Sequence, residues 1–268
     1  MNWLLSGMAA LGISYLVIVA GMYTFQRSFL YLPDKQHFSP DEAGLSGIKA
    51  LTITTSDGEH LQAWYLPATA GQPTILYLHG NAGSIVGRTE RLRFYQRQGV
   101  GALFVSYRGY GSSSGSPNQS GLINDALAAY DWLVQENIAA EKIAVLGESL
   151  GSGVAVQLAL QRPLRAVILE APFTSTMAVA KVIYWWLPID LLMKDRFESI
   201  AVIDKVAAPI LIVHGAEDEI TDVEQGKQLF DKAAQPKSLE IIKGASHEGI
   251  SFEDTWRKEL AFIESVKP

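Results

Sequence analysis

The 268-residue chain contains no cysteine, which excludes disulfide bonds, thiolate catalysis, and zinc or iron–sulfur sites built on cysteine ligands. It also lacks any cluster of lysine and arginine, and its formal net charge is −6. A nucleic-acid surface needs a basic patch, so we expect no nucleic-acid partner. No spacing of histidine and carboxylate residues resembles a metal site, and we expect no metal and no organic cofactor.

Charged side chains are also absent from residues 3–25, and the first one in the chain is Arg27. As an α-helix, this stretch of about 23 residues is long enough to cross a hydrocarbon core of about 30 Å. Trp3 at one end and Tyr23 near the other are residue types that favour the membrane interface. A cleaved signal peptide is the alternative, but it has a basic segment before a shorter apolar core. The pattern therefore predicts an uncleaved, single-pass membrane anchor over residues 1–26.

Two further signals accompany the anchor. Arg27 and Lys35 follow it, and positive charge on this side favours a cytoplasmic location for the rest of the chain. Ser6, Ala10 and Ser14 form a row of small residues at four-residue spacing, which is typical of contacts between membrane helices. This row suggests a homo-oligomer formed through the helix.

After a neck at residues 27–47, short apolar runs typical of strands alternate with helical patterns through a domain at residues 48–268. Short continuous apolar strands separated by helices predict an α/β fold, with a mostly parallel central sheet and helices on both faces. Ligands bind such sheets at the carboxyl ends of the strands. The predicted strands are 48–55, 59–66, 74–78, 102–107, 143–147, 166–171, 210–215 and 238–244, and the main predicted helices are 85–98 and 120–136.

A serine stands between two glycines where a strand becomes a helix, in Gly147-Glu148-Ser149-Leu150-Gly151. The pattern Gly-x-Ser-x-Gly with a strand before it and a helix after it is typical of a nucleophile elbow. The turn is sharp, so side chains at the flanking positions would collide, and glycine is needed there. We therefore expect Ser149 to be a nucleophile. A plain glycine-rich turn is the alternative.

A serine nucleophile needs a base, and in this architecture the chain order is serine, acid, histidine. His247, in a small-residue loop after the last strand, is the expected base. His37 and His60 come early in the chain and are expected at the surface, and His79 and His214 each end a strand. His79 is expected to brace its loop.

The acid is expected after a strand between Ser149 and His247. Asp218 follows the strand 210–215 and is the expected acid, with Glu170 at the end of another strand as the alternative. Glu217 and Glu219 are interpreted as solvated charges or as acids at a helix N-terminus.

An oxyanion hole needs donors aimed at the tetrahedral intermediate. The backbone N–H groups of Asn81, in the loop after the strand 74–78, and of Leu150 are the expected donors. The glycine-rich loop 106–117 is an incomplete dinucleotide-binding pattern, because Ser114 stands at the third glycine position. We interpret it as a loop at the rim of the site.

The segment 174–199 is longer than a minimal helical connection between two strands. Four of its side chains are expected to line an acyl pocket or to touch the bilayer, which would make the segment a lid. The alternative is a helix that covers the sheet. The four residues are Tyr184, Trp185, Trp186 and Met193.

These motifs together resemble the α/β-hydrolase superfamily, and most closely its membrane-anchored, bud-emergence-type branch of α/β-hydrolase-domain proteins. The resemblance covers about residues 48–265. It implies an α/β-hydrolase fold, with Ser149 as nucleophile, Asp218 as acid, His247 as base, and the amides of Asn81 and Leu150 as oxyanion donors. The proline usual after the acid loop is absent, which we interpret as loop variation. The motifs that carry the resemblance are FLYLP (29–33), HGNAGS (79–84), SYRGYGSSSGSP (106–117), GESLGSGVA (147–155), APFTS (171–175), KDRFES (194–199), HGAEDEI (214–220) and ASHEG (245–249).

The expected function is that of a membrane-tethered serine hydrolase that cleaves carboxylic esters or acyl thioesters through an acyl-enzyme. A small-molecule or lipid acyl substrate is expected because the tether holds the site near the bilayer. A peptidase or amidase of the same fold is the alternative within enzymes. A non-catalytic membrane-bound scaffold is the alternative outside them, although a scaffold has no reason to keep serine, acid and histidine together.

Overall fold

A computed structural model describes residues 2–36 and 38–266 of the chain. His37, expected at the surface, lies outside the described residues. Within these ranges, the strands are β1 Leu32–Pro33, β2 Lys49–Thr54, β3 His60–Leu66, β4 Thr74–Leu78, β5 Ala82–Gly83, β6 Gly101–Val105, β7 Ile143–Glu148, β8 Ala166–Glu170, β9 Ile210–Gly215 and β10 Lys237–Ile242. The α-helices described are α1 Asn2–Leu30, α2 Thr89–Gln98, α3 Gln119–Gln135, α4 Leu150–Ala159, α5 Thr176–Ile183, α6 Ile189–Leu192, α7 Val223–Lys232 and α8 Glu253–Ser265.

The central sheet has the strand order β10-β9-β8-β7-β4-β6-β3-β2. β3 pairs antiparallel with β2 and with β6, and the other neighbours pair in parallel. The register sets Leu78 opposite Gly147, so the loop after β4 and the turn after β7 leave the sheet side by side. The predicted α/β-hydrolase fold with a mostly parallel sheet is confirmed.

Helices cover both faces of the sheet, and each face has its own apolar core. Leu122 of α3, Val154 of α4 and Leu229 of α7 are buried against one face. Phe94 of α2 and Leu260 of α8 are buried against the other. The five central strands are buried on both faces, which explains their continuous apolar sequences.

Helix α2 differs from its prediction at the N-terminal end. The segment predicted as one helix over 85–98 begins with a 3-10 turn, Ile85–Arg88, and becomes α-helical at Thr89. The break falls at Arg88, whose backbone leaves the helical region (φ −114°, ψ 20°) and whose side chain pairs with Glu148. A tertiary ion pair therefore accompanies the irregular start of this helix.

Helix α1 continues to Leu30 and so includes the first residues of the predicted neck. Within the described ranges, the one helix long and apolar enough to cross a membrane is this one, over Trp3–Leu30. The following β1 pairs in parallel with β5, with Leu32 opposite Ala82. The chain that leaves α1 is therefore attached directly to the loop after β4.

Candidate active site

Ser149 lies in the turn between β7 and α4, with its backbone at φ 50° and ψ −112°. This region is costly for a residue with a side chain, so the turn is strained. A Cβ atom on Gly147 would collide with the carbonyl oxygen of Gly151, and one on Gly151 would collide with the carbonyl oxygen of Leu78. Both glycines are therefore required by close backbone approach, as the predicted elbow needs.

The structure brings Ser149, His247 and Asp218 together in one hydrogen-bonded row. The hydroxyl Oγ of Ser149 lies 3.0 Å from Nε2 of His247, and Nδ1 of His247 lies 2.7 Å from Oδ2 of Asp218. A carboxylate only accepts hydrogen bonds, so Nδ1 carries the proton and Nε2 is free to accept from the serine hydroxyl. This is the arrangement in which an imidazole acts as a base towards a hydroxyl.

The Asp218 carboxylate is buried and held by several donors. Its Oδ1 accepts from the backbone N–H groups of Ile220 at 2.9 Å and Thr221 at 2.8 Å. Burial alone would raise the pKa of Asp218, but hydrogen bonds from His214, His247 and the Thr221 amide outweigh it. The pKa therefore lies well below the ordinary value, and the group stays ionised.

His214 is a contact of the acid that the sequence analysis did not assign. Its Nε2 lies 3.2 Å from Oδ2 of Asp218 and 2.8 Å from the carbonyl oxygen of Thr221. Both neighbours are acceptors, so Nε2 carries the proton and joins the two ends of the acid turn. The sequence signal that could have indicated this contact is the position of His214, which lies in β9, four residues before Asp218.

The two expected oxyanion donors lie beside the nucleophile and line the same pocket. Leu150 is the first residue of α4, so its N–H has no acceptor within that helix. The Asn81 side-chain amide donates to the carbonyl oxygen of Leu30 at 3.2 Å. The backbone carbonyl oxygen of Asn81 accepts from Leu32 N at 2.9 Å and from the Tyr110 hydroxyl at 2.8 Å. The end of α1 thus braces the loop that carries Asn81.

His79 and Glu170 are engaged elsewhere. His79 is buried, with Nδ1 2.8 Å from the carbonyl oxygen of Gly80, and burial lowers its pKa to about 4. Glu170 accepts two hydrogen bonds from the buried Arg91, one of them at 2.9 Å. Glu170 therefore neutralises the buried Arg91, and the carboxylate that lies within hydrogen-bond distance of His247 Nδ1 is that of Asp218. His60 is exposed at the far hairpin, and Glu217 and Glu219 are exposed.

Glu148, immediately before the nucleophile, forms an ion pair with Arg88 at the pocket wall. Arg88 donates to both carboxylate oxygens of Glu148, at 2.9 and 2.6 Å, and the Tyr77 hydroxyl donates as well. Burial would raise the pKa of Glu148, but the Arg88 hydrogen bonds and charge lower it to about 2. The elbow is therefore flanked by a neutralised ion pair, and no local sequence pattern indicated Arg88 as the partner of Glu148.

The pocket at Ser149 has a volume of about 640 Å³ and lies between α1, the elbow and the segment 174–199, named here the cap segment. Tyr184 and Met193 line it, as expected. Trp185 and Trp186 do not line the pocket, and contact with the bilayer, the other expectation for these side chains, stays a prediction. Trp185 is 81% exposed and Trp186 40%, because α5 ends at Ile183 and the chain turns before Leu187.

Residues 106–117 of the glycine-rich loop do not line this pocket, although the Tyr110 hydroxyl in that loop donates to the backbone carbonyl oxygen of Asn81, which does line it. The expected position of the loop at the rim stays a prediction. Arg108 at the start of the loop pairs with Asp125 of α3 and with Asp57 of the first hairpin, which draws the loop against those elements. Among the described residues, no group of histidine, aspartate and glutamate side chains is arranged to hold a metal ion.

Comparison with known proteins agrees with this fold. The family model for the alpha/beta hydrolase fold matches residues 73–202, and a model for serine aminopeptidase, S33, matches residues 192–254. The alpha/beta hydrolase domain-containing protein WAV2 of Arabidopsis thaliana is 32% identical over 94% of this chain and 92% of its own length. The lysophosphatidylserine lipase ABHD12 of Danio rerio is 36% identical over 66% of this chain, which spans about half, 51%, of that protein.

Among solved structures, the Pyrococcus furiosus esterase Pf2001 superposes with a TM-score of 0.71, covering 89% of this chain and 98% of the esterase, at 20% identity. At that identity the likeness concerns the fold. Fold and sequence together define a hydrolase of α/β architecture. The chain belongs to the α/β-hydrolase family.

Proposed function

We propose that this protein is a serine hydrolase that cleaves carboxylic esters or acyl thioesters of lipid-like substrates through an acyl-enzyme. The observation that carries the proposal is the row of Ser149, His247 and Asp218, joined by contacts of 3.0 and 2.7 Å at the end of a strained elbow. A scaffold without turnover would gain nothing from the strain at Ser149.

In the first half of the reaction, Oγ of Ser149 attacks the acyl carbon while Nε2 of His247 takes the hydroxyl proton. The carbonyl oxygen becomes an oxyanion, which the N–H groups of Asn81 and Leu150 bind. Asp218, ionised because its hydrogen bonds lower its pKa, stabilises the imidazolium that forms. His247 then returns the proton to the leaving alcohol or thiol as its bond to the acyl carbon breaks.

In the second half, a water molecule attacks the acyl-enzyme. His247 takes a proton from this water, and the oxyanion of the new tetrahedral intermediate binds to the same N–H groups of Asn81 and Leu150. Collapse breaks the ester bond to Oγ, and His247 gives the proton back to Ser149. The acid leaves, and the enzyme returns to its starting state.

The pocket supports an acyl substrate. Its volume of about 640 Å³ falls within the usual range of about 300–1,000 Å³ for small-molecule sites, and most of its lining side chains are apolar. Tyr184 and Met193 are proposed to contact the acyl chain. The relative named lysophosphatidylserine lipase supports an ester of a lipid as the substrate class. Helix α1 is proposed to tether the enzyme to the membrane that holds such lipids.

The test is hydrolysis of p-nitrophenyl esters from acetyl to palmitoyl by the full chain, by Ser149→Ala, and by Ser265→Ala as a matched control. Ser265 is the last residue of α8, is exposed, and donates its hydroxyl to the carbonyl oxygen of Phe262 in the preceding turn at 2.8 Å. We expect turnover with a chain-length optimum in the parent and in Ser265→Ala, and none in Ser149→Ala. Equal turnover in Ser149→Ala and the parent would refute the nucleophile.

Amide hydrolysis is a second proposal, favoured by the match of residues 192–254 to the serine aminopeptidase model. This region carries Asp218 and His247, which would serve a peptide bond in the same way. Acyl and aminoacyl p-nitroanilides of matched chain length separate the two activities. A kcat/KM for the anilides that equals or exceeds that for the esters would favour the peptidase.

A further inference from the structure

Helix α1 and the cap segment lie side by side over a long stretch. The Tyr15 hydroxyl donates to the carbonyl oxygen of Trp186 at 3.1 Å, and the two rings meet edge to face. Farther along α1, the Gln26 side chain donates to Leu192 O at 3.1 Å and accepts from Lys194 N at 2.8 Å. Tyr15 and Gln26 are separated by about 17 Å along the helix axis.

Charged and polar groups gather at one end of this contact. Arg27 donates to both carboxylate oxygens of Asp195, at 2.8 and 3.1 Å, and Nζ of Lys194 lies 4.0 Å from the centre of the Tyr23 ring. Arginine, lysine and tyrosine in such a belt are typical of the membrane–water interface. The level of Tyr23 to Arg27 therefore marks the membrane surface along α1.

This level sets a depth for the other end of the contact. One leaflet of hydrocarbon is about 15 Å thick, half of a core of about 30 Å. If α1 enters the bilayer at Gln26, Tyr15 lies about one leaflet deep, and Trp186 packs against it at that depth. The part of the cap segment between these contacts then lies within the leaflet on the side of the catalytic domain.

The exposed side chains in that part of the cap segment are mostly apolar, which favours contact with the hydrocarbon of a bilayer. The cap tip, defined as residues 181–193, exposes Val182 by 77%, Trp185 by 81% and Leu191 by 82%. Contiguous exposed apolar side chains of this size mark an interaction surface. The two charged residues of the cap tip, Lys181 and Asp190, pair with each other at 2.6 Å, so they bring no net charge.

The pocket lies between the same two elements. Met22 and Tyr23 of α1 line one side, and Ile183 and Leu192 of the cap tip line the other, with Ser149 at the base. An acyl chain that leaves the leaflet between α1 and the cap tip would therefore enter the same pocket that Ser149 lines.

We propose that the cap tip is embedded in the leaflet beside α1, and that the acyl chain of a membrane lipid passes directly from this leaflet into the pocket. This inference rests on the proposed function for the identity of the substrate, but the membrane contact does not. The occupant of the exposed apolar surface is the bilayer, because the surface is continuous with the exposed apolar face of α1 and is bounded by the charged belt.

The natural absence of cysteine permits single-site labelling of the full chain. Trp185→Cys and Leu191→Cys are labelled with a nitroxide in vesicles of phosphatidylcholine and phosphatidylglycerol. Collisions with oxygen, which partitions into lipid, are compared with collisions with a water-soluble nickel chelate. Leu11→Cys on α1 is the bilayer reference, and Val134→Cys, 45% exposed on α3, is the water reference. We expect Trp185 and Leu191 labels to behave as Leu11 does. Nickel-dominated collisions, as at Val134, would overturn the proposal.

A kinetic test examines the route of the substrate. We expect the double variant Val182→Ser and Leu191→Ser to hydrolyse p-nitrophenyl acetate in solution within about twofold of the parent, and to lose about tenfold or more on p-nitrophenyl palmitate held in vesicles. Val134→Ser is the matched control. Unchanged palmitate turnover would overturn the direct route. Absence of acetate turnover in the parent would instead refute the proposed hydrolase, and the collision measurement would still decide the membrane contact.

Discussion

Replacing Asp218 by asparagine tests the charge in the proposed mechanism while keeping the shape of the side chain. The Asp218 carboxylate accepts from two backbone amides, from His247 at 2.7 Å and from His214 at 3.2 Å. An asparagine oxygen accepts fewer of these hydrogen bonds, and its amide favours the tautomer of His247 that has no free Nε2 lone pair.

The size of the effect follows from the charge that is lost. Opposite unit charges about 4 Å apart, at an effective dielectric constant of about 20, attract by about 4 kcal/mol. The imidazolium forms only as Ser149 attacks the acyl carbon and His247 takes its proton, so this attraction is lost from the transition state. At about 1.4 kcal/mol for each factor of ten, kcat falls by about 10³, and the wrong tautomer brings the loss to between about 10³ and 10⁴. KM changes little, because the substrate does not contact Asp218.

The assay is steady-state hydrolysis of the best p-nitrophenyl ester by parent, Asp218→Asn and a control, Asp222→Asn. Asp222 is the N-cap residue of α7, and its side chain accepts from Glu224 N at 2.8 Å, a role that asparagine performs equally well. We expect the control to match the parent. A fall in kcat of less than about tenfold in Asp218→Asn, in a folded protein, would refute the assignment of Asp218 as the acid.

Three further predictions concern buried groups near the site. Burial and the Glu170 carboxylate raise the pKa of Glu259 well above its ordinary 4.5. The stability that this group contributes is complete below pH 4.5 and falls as the pH rises towards the raised pKa, so Glu259→Gln should hold its Tm as the pH rises above about 5, where the parent loses stability. Exposed Glu264→Gln is the control. Glu170→Gln leaves Arg91 without its close partner, and chemical denaturation should show a loss of about 3–5 kcal/mol. Gly151→Ala should abolish ester turnover, because its Cβ would collide with a backbone carbonyl oxygen. The first expectation fails if the Tm of Glu259→Gln falls with pH in parallel with that of the parent. The second fails if Glu170→Gln leaves the unfolding midpoint unchanged, and the third fails if Gly151→Ala hydrolyses esters as fast as the parent.

The fold could be predicted because its signals are local. Each central strand is a short apolar run bounded by polar loops, and the helices between them have apolar residues at helical spacing. The elbow at Ser149 is equally local, since strand, glycine pair and helix are contiguous in the chain. Asp218 and His247 could be proposed because a parallel sheet gathers the ends of its strands at one edge. The start of α2 was less predictable, because Arg88 turns towards Glu148, sixty residues away.

Other features depend on which elements pack together. His214 contacts Asp218 because the turn that carries the acid folds back over the end of β9. Glu170 does not serve as the acid because it pairs with Arg91 of α2. The position of Trp185 outside the pocket depends on a turn that has no distinctive sequence.

The strongest contrast concerns α1. A run of residues without charge suffices to predict a helix able to cross a membrane, because length and hydrophobicity are properties of the segment alone. The contact of Tyr15 with Trp186 joins residues 171 positions apart, and no local pattern encodes it. Chain order and composition therefore determined the strands, the elbow and the apolar helix. The tertiary structure alone decided that this helix forms a wall of the pocket, because a contact between segments far apart in the chain exists only after both have taken their places in the folded protein.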